Sequence, residues 1–388
     1  MKKQLMSKQM TKTELIKLDP DFDLSLIKPA AAALRSGELV AFPTETVYGL
    51  GANAFCETAV KRVFEVKGRP QDNPLIVHLS KFEHLSEISI NIPQIAYDLL
   101  EVFAPGPLTL ILPKSDLVPE IVSAGLSTVA IRFPDNSVAR ALIELSGVPI
   151  VAPSANLSGR PSPTQAWHVY QDLAGKIPYI LDGGTCAYGL ESTIIDLSVA
   201  DPVILRPGFI TAYDIKKSTG IKITEFQAEQ SGIEPDFQPK APGQKYRHYS
   251  PRATVIILRE NPDLAARLNN LLNGIEKFIQ NKISANNLKK DNPQEISVGL
   301  FLAEELSKGL DLDYFKNSLH RSTCYNVRFK LESYNNQRGA ADAAHDLFNR
   351  FREFDQLQAD LIICSAEQMS GAGIAYMNRL KKAASYEI

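Results

Sequence analysis

Two short stretches carry residue types suited to a nucleotide's phosphates. Lys67-Gly-Arg-Pro-Gln-Asp-Asn73 sets a compact cation and a planar guanidinium two residues apart. Pro153-Ser-Ala-Asn156 sets a hydroxyl and an amide at the same spacing. If the two stretches face each other, Lys67 and Arg69 supply positive charge while Ser154 and Asn156 orient oxygens. Each residue also has an ordinary use. Lys67 offsets the negative end of a helix, Arg69 suits a solvated loop, and Ser154 and Asn156 are common turn formers. The pairing of the two stretches, not any one member, marks the candidate site.

The surrounding pattern says what must hold them. CETAVKRVFEV places Val60, Val63 and Phe64 at helical spacing, Gly68 ends that helix, and LIVHL reads as a strand directly afterwards. GVPIVA, a buried-strand pattern, leads into Pro153. LVAFP, LTLIL, TVAIRF, YILDG, STIIDL and VILRPG are further strands, and IAYDLLEVF and VARALIEL are helices. Several strands follow one another without a helix between them, so a mixed, twisted α/β sheet with helices packed on it is expected over residues 22–216. Residues 217–251 are polar and rich in Pro and Gly, and read as a linker. From residue 252 to 388, TVIIL, SVGLFL, CYNVRF and DLIICSA alternate with helical runs, a smaller Rossmann-like domain. No GxGxxG opens its first helix, and Gly371-Ala-Gly373 reads either as an anion seat or as a tight connection.

Composition narrows the class. A chain of 388 residues with 44% hydrophobic and 22% charged residues suits two soluble globular domains. No run approaches eighteen apolar residues, so no membrane span is expected. Residues 1–21 carry lysines with no apolar segment behind them and read as a flexible tail, not a secretory signal. Cys56, Cys186, Cys324 and Cys364 are scattered without a CxxC, which points to reduced cytoplasmic thiols and to no protein-held metal. Residues 22–216 contain 14 Lys and Arg against 20 Asp and Glu, a balance of −6 that disfavours general nucleic-acid binding.

The familiar covalent machinery is missing: there is no GxSxG, HExxH, Walker loop or kinase signature. The chemistry must then rest on positioning and electrostatics. Arg132, closing the run TVAI, has the fork to clamp a carboxylate, or else forms a surface ion pair. Thr46, His78 and Ser192 read from the pattern alone as strand or core residues. In the linker, Tyr246, Arg247, His248 and Tyr249 lie between Pro242-Gly243 and Ser250-Pro251. That cluster either anchors the linker or forms a lid that folds over a bound nucleotide and excludes water; the density of functional groups favours the lid.

FPTETVYGLGANA, KGRPQDNPLIVH, PGPLTLIL, VAIRFPD, VAPSANLSG, ESTIID and LRPG occur in this order across residues 42–208. The series resembles the YrdC-like domain of threonylcarbamoyl-AMP synthases, whose signature pairs KxR with SxN. APGQKYRHYSP and the hundred-odd residues after it resemble the long form, with Gln244 where many relatives carry methionine.

The resemblance implies a YrdC-like open sheet with a concave face. It implies synthesis of L-threonylcarbamoyl-AMP from L-threonine, bicarbonate and ATP with release of pyrophosphate, Mg²⁺ riding on the ATP phosphates. Downstream transferase proteins then carry the group to tRNA, and direct tRNA binding is allowed but not required. It assigns catalysis to Lys67, Arg69, Ser154 and Asn156. ATP falls to those four with Asn73, Thr128, Ala152, Arg206 and Tyr246, and threonine to Thr46, His78, Arg132 and Ser192. Two competing readings are an RNA-binding module and a carbamoyl-transfer domain of hydrogenase maturation; the acidic balance weighs against the first, and the lack of acylphosphatase and zinc-finger segments against the second.

Overall fold

In a computed structural model, residues 11–225, 239–245, 249–286, 295–335 and 338–388 are described, with the side chains of 285 and 286 left out. The first sheet has eleven strands in the order β1-β8-β2-β3-β7-β4-β6-β5-β9-β10-β11. They are β1 (Glu14–Lys17), β2 (Val40–Phe42), β3 (Gly49–Asn53), β4 (Ile76–His78), β5 (Leu108–Pro113), β6 (Thr128–Arg132), β7 (Ile150–Val151), β8 (Tyr179–Asp182), β9 (Thr193–Asp196), β10 (Val203–Arg206) and β11 (Thr224–Glu225). Pairing is mixed, as expected: β4 runs parallel to β6 and antiparallel to β7.

Helices of eight residues or more pack on this sheet: α1 (Lys28–Arg35), α2 (Glu57–Lys67), α3 (Gln94–Phe103), α4 (Ser137–Ser146), α5 (Ala166–Leu173) and α6 (Ala212–Thr219). Their apolar stripes build two clusters. One joins Val60, Val63 and Phe64 of α2 to Val77 and Ile131. The other joins Leu34 of α1 to Phe42, Leu142 and Ile150. Helix α2 ends because Gly68 takes the left-handed conformation, φ 62°, and turns its N–H back to the carbonyls of Phe64 and Glu65.

Two boundaries shift from the sequence reading. The stretch read as a flexible tail to residue 21 contains a strand: β1 adds to the sheet edge beside β8 with Glu14 opposite Tyr179. At the other end, α6 runs to Thr219 and β11 pairs with β10, so the first sheet continues to Glu225, past the expected end at 216.

The second sheet is wholly parallel, in the order β14-β13-β15-β12-β16. Its strands are β12 (Thr254–Leu258), β13 (Glu295–Ala303), β14 (Asn326–Tyr334), β15 (Leu361–Ser365) and β16 (Tyr386–Glu387). Helices α7 (Leu264–Asn286), α8 (Leu312–Thr323), α9 (Ala340–Gln356) and α10 (Ala372–Ala383) flank it. The inner strands β12, β13 and β15 are continuous apolar runs because both their faces are covered, while the edge strand β14 carries exposed polar residues. Val47 and Leu190 of the first domain share one cluster with Phe348, Tyr376 and Leu380 of the second, so the two domains pack through a common core.

Candidate functional site

Neighbouring strand ends bring the flagged residues together. His78 and Arg132 are register partners across β4 and β6, and β7 beside them leads into the Ser154 loop, which bridges back to Gly49. A narrow cavity of about 60 Å³ opens there, and its lining includes Arg69, His78, Arg132, Ser154, Ser192 and Arg206. Ala152 also lines it, and its N–H donates to the Ile76 carbonyl at 3.0 Å. Lys67 is not part of the lining; it reaches the backbone of the same loop.

Lys67 does not present its charge to solvent. It is 3% exposed and its ammonium donates to the carbonyls of Ser154 and Asn156. Burial pushes its pKa well down, and the neighbouring Arg69 charge pushes the same way. Arg69 is half-buried and donates to the carbonyls of Asn73 and Pro74. Asn73 is buried, with its side-chain oxygen unpartnered. The Ser154 hydroxyl donates to Asn156 Oδ1 at 2.5 Å, and the Asn156 amide donates to the carbonyls of Leu157 and Arg160. Asn156 thus braces the loop that presents Ser154.

Arg132 is 4% exposed, so the surface ion pair is ruled out in favour of a buried one. Its Nη2 donates to Glu45 Oε1 at 2.6 Å and its Nη1 to Thr46 Oγ1 at 2.8 Å, while Glu45 Oε2 is buried without a partner. Ser192 is buried between the Thr109 hydroxyl at 2.8 Å and Arg206 Nη2 at 3.1 Å. Burial lowers the Arg206 pKa to about 10. Thr128 begins β6 and is not part of the cavity lining. It lies on the strand face that Arg132 occupies, about 13 Å away. Ala130 between them joins Ile76, Ile111 and Ile194 in an apolar patch.

The linker crosses this patch as a strap. Ala241 is fully buried in the patch, Lys240 pairs with Asp196 at 2.9 Å and Lys245 with Asp72 at 3.0 Å. Gln244 does more than pack: its Oε1 accepts the Ala241 N–H at 3.0 Å. Of the expected lid, Tyr246, Arg247 and His248 lie outside the described residues. Tyr249 is 5% exposed, lines the cavity and stacks on Phe348 with ring centroids 5.2 Å apart.

A larger crevice of about 890 Å³ opens in the second domain, where Glu260, Glu305 and Glu367 accompany Arg267 and Arg338. Three carboxylates make it a poor receptor for a triphosphate. Gly373 is explained by packing, since a Cβ there would sit 2.0 Å from the Gln368 carbonyl oxygen. Of the two readings of Gly371-Ala-Gly373, the tight connection fits.

The comparisons agree with this geometry. The threonylcarbamoyl-AMP synthase of Pyrococcus abyssi is 43% identical over 366 residues, covering 93% of this chain and 95% of that one. The chain belongs to the threonylcarbamoyl-AMP synthase family. The Bacillus subtilis synthase is 42% identical over 360 residues, 92% of each chain. Residues 32–208 match the Sua5/YciO/YrdC family model, described as telomere recombination, and 210–385 match the threonylcarbamoyl-AMP synthase C-terminal domain. The crystal structure of P. abyssi Sua5 complexed with L-threonine superposes with a TM-score of 0.79 at 41% identity, covering 97% of this chain and all of that one.

Sequence reasoning missed two carboxylates in this synthase fold, Glu45 and Glu191. Each immediately precedes a flagged hydroxyl, Thr46 or Ser192, and each holds a buried arginine, Arg132 or Arg379. An acidic residue at a strand end inside a cationic cleft was the available signal.

Two buried histidines give the synthase an acid limit. Burial, aided by the charge of Arg132, lowers His78 to about 3; burial, aided by Arg352, does the same to His168. His168 Nδ1 accepts the Thr164 N–H, which a protonated ring cannot do. The unfolded chain takes up these protons below about 6.5, the folded chain only near 3. Stability is therefore full above pH 6.5 and drains as pH falls toward 3. His345, raised by its Asp346 hydrogen bond, acts in a different window: its contribution is full below pH 6.5 and is lost as pH rises above that, so it leaves the acid loss unchanged. The urea midpoint should fall steadily from pH 6.5 to 4.5; a flat midpoint over that window contradicts the neutral rings.

Proposed function

We infer that the chain condenses L-threonine, bicarbonate and ATP into L-threonylcarbamoyl-AMP, releasing pyrophosphate and water, for threonylcarbamoyladenosine modification of tRNA. The observation that carries the reading is the convergence of Arg69, Arg132, Ser154, Ser192 and Arg206 on one cavity, with Lys67 bonded to the backbone of the Ser154 loop. The threonine bound by the P. abyssi relative supports threonine as the amino acid.

Threonine's carboxylate takes the Arg132 fork, while Thr46, His78 and Ser192 set its amine and hydroxyl. The amine nitrogen bonds to the bicarbonate-derived carbon with loss of water. A carbamate oxygen then attacks the α-phosphorus as the bond to pyrophosphate breaks. Charge grows on the phosphate oxygens, where Arg69, Arg206 and the Ser154 hydroxyl offset it; one such contact is typically worth about 3 kcal/mol in the transition state. The nucleotide lies along β6 from Arg132 toward Thr128, its base over the patch of Ile76, Ala130 and Ile194. Asn73 and Ala152 border that path.

A cavity of about 60 Å³ holds only about two waters. The strap over it, with Ala241 in the patch and Pro242, Gly243 and Tyr249 on the cavity, must therefore lift for ATP to enter. Mg²⁺ would be held chiefly by the ATP phosphates, because Glu45 and Glu191, the carboxylates that adjoin Thr46 and Ser192, already hold arginines. The ion, when bound, offsets charge on the departing pyrophosphate. No helix among the described residues is long and apolar enough to cross a membrane. A hydrolysable product calls for transfer proteins downstream that accept it directly.

The test is to supply the purified chain with ATP, Mg²⁺, bicarbonate and each amino acid in turn. Pyrophosphate release should require threonine, and serine should trail by roughly ten- to a hundredfold, the worth of one methyl. Release indifferent to the amino acid rejects the reading.

A further inference from the structure

We propose that Arg379, carried by the second domain, is a positioning residue for the threonine-binding wall of the synthase site. The inference rests on the functional reading above and adds a residue from the second domain to the same site.

Arg379 sits on α10 and is fully buried. Its Nε donates to Glu191 Oε2 at 2.9 Å, and its Nη2 to the Glu191 carbonyl at 3.4 Å. Its Nη1 donates to the Pro207 carbonyl at 2.9 Å and to Asn378 Oδ1 at 2.8 Å. One rigid fork thus holds both the side chain and the main chain of Glu191, together with the residue after Arg206. The second oxygen of Glu191 accepts the Ser162 hydroxyl at 2.5 Å. Glu191 and Ser192 are successive residues of the cavity wall, and Arg206 donates to both the hydroxyl and the carbonyl of Ser192. A continuous line of contacts therefore runs from α10 through Glu191 and Ser192 to Arg206. The guanidinium also lies 5.6 Å from the ring of Tyr249, which lines the same cavity.

Charge makes the arrangement more than an interdomain anchor. Burial alone would raise the Glu191 pKa; the charges of Arg379 and Arg206 outweigh it and keep the carboxylate ionised. Without Arg379, that buried negative charge faces a pocket that must receive a threonine carboxylate and a triphosphate. The wall is then both displaced and repulsive to the substrate. Lys382, one turn along α10, donates to the Gly243 carbonyl at 2.8 Å, so the same helix also touches the strap.

The test uses the full-length chain and threonine-dependent pyrophosphate release. Arg379→Met should raise the threonine KM at least tenfold with kcat within about threefold. Arg379→Lys, which keeps the charge but loses the fork, should fall between. Arg379→Met combined with Glu191→Gln should recover most of the KM, because the uncompensated carboxylate is gone. A folded Arg379→Met with the wild-type threonine KM overturns the proposal, and so does a double variant no better than the single one. If Arg379→Met does not fold, a wild-type threonine KM in Arg379→Lys overturns it equally. A wild-type chain without threonine-dependent release removes the functional reading itself, and this inference with it.

Discussion

Replacing Lys67 by alanine should abolish pyrophosphate release, by at least a hundredfold, and should also destabilise the first domain. The second effect follows from where the ammonium sits. At 3% exposure, its hydrogens go to the carbonyls of Ser154 and Asn156. Truncation removes the donor to the buried Asn156 carbonyl, at about 1–3 kcal/mol, while the Ser154 carbonyl keeps the Asn156 N–H at 3.0 Å. Against a total stability of about 5–15 kcal/mol, that loss is large but survivable. The rate effect follows because the carbonyls of residues 154 and 156 set where the Ser154 hydroxyl points. Arg69→Ala should behave differently: its side chain is half-buried and releases the loop carbonyls of Asn73 and Pro74, so activity should fall with a smaller change in melting. Denaturant melts run beside the release assay check both. A Lys67→Ala protein with wild-type melting and wild-type release would show that the ammonium holds nothing.

Lys67 also shows what the sequence made legible. Its type and its spacing to Arg69 pointed to phosphate chemistry, and the loop it serves is the expected one. Its burial was readable too: Val60, Val63, Phe64 and Lys67 fall at i, i+3, i+4 and i+7, so the lysine ends the apolar stripe of α2. The strands LIVHL, TVAIRF and VPIVA were legible because apolar runs bounded by Pro, Gly and polar residues have few alternatives. β3, GLGAN, was not, since two glycines and an asparagine give no strand signal; it forms because β2 and β7 flank it. Nor was β1 legible, since the exposed ELIK gains its order from pairing with β8. The role of the second domain at the site was hidden for a different reason. Arg379 lies 188 residues from Glu191, and nothing local in GIAYMNRLKK distinguishes a buried arginine from a surface one.

The same physics makes Arg132→Met the other severe change. Its guanidinium is the partner of Glu45, whose second carboxylate oxygen is already buried without a hydrogen bond. Removing the cation strands a buried negative charge, a loss of about 3–5 kcal/mol. For a domain of this size that lowers Tm by roughly 10 °C. It also removes the fork assigned to the threonine carboxylate, so saturation by threonine should disappear. The two consequences separate in the double variant Arg132→Met with Glu45→Gln. A neutral amide needs no cation, so melting should return most of the way to wild type, while threonine still fails to saturate. Recovery of stability without recovery of threonine use assigns Arg132 two tasks: holding Glu45 while the pocket is empty and holding substrate when it is filled. Normal threonine kinetics in the double variant would leave Arg132 only the first, and the amino acid's carboxylate would have to be bound elsewhere in the cavity.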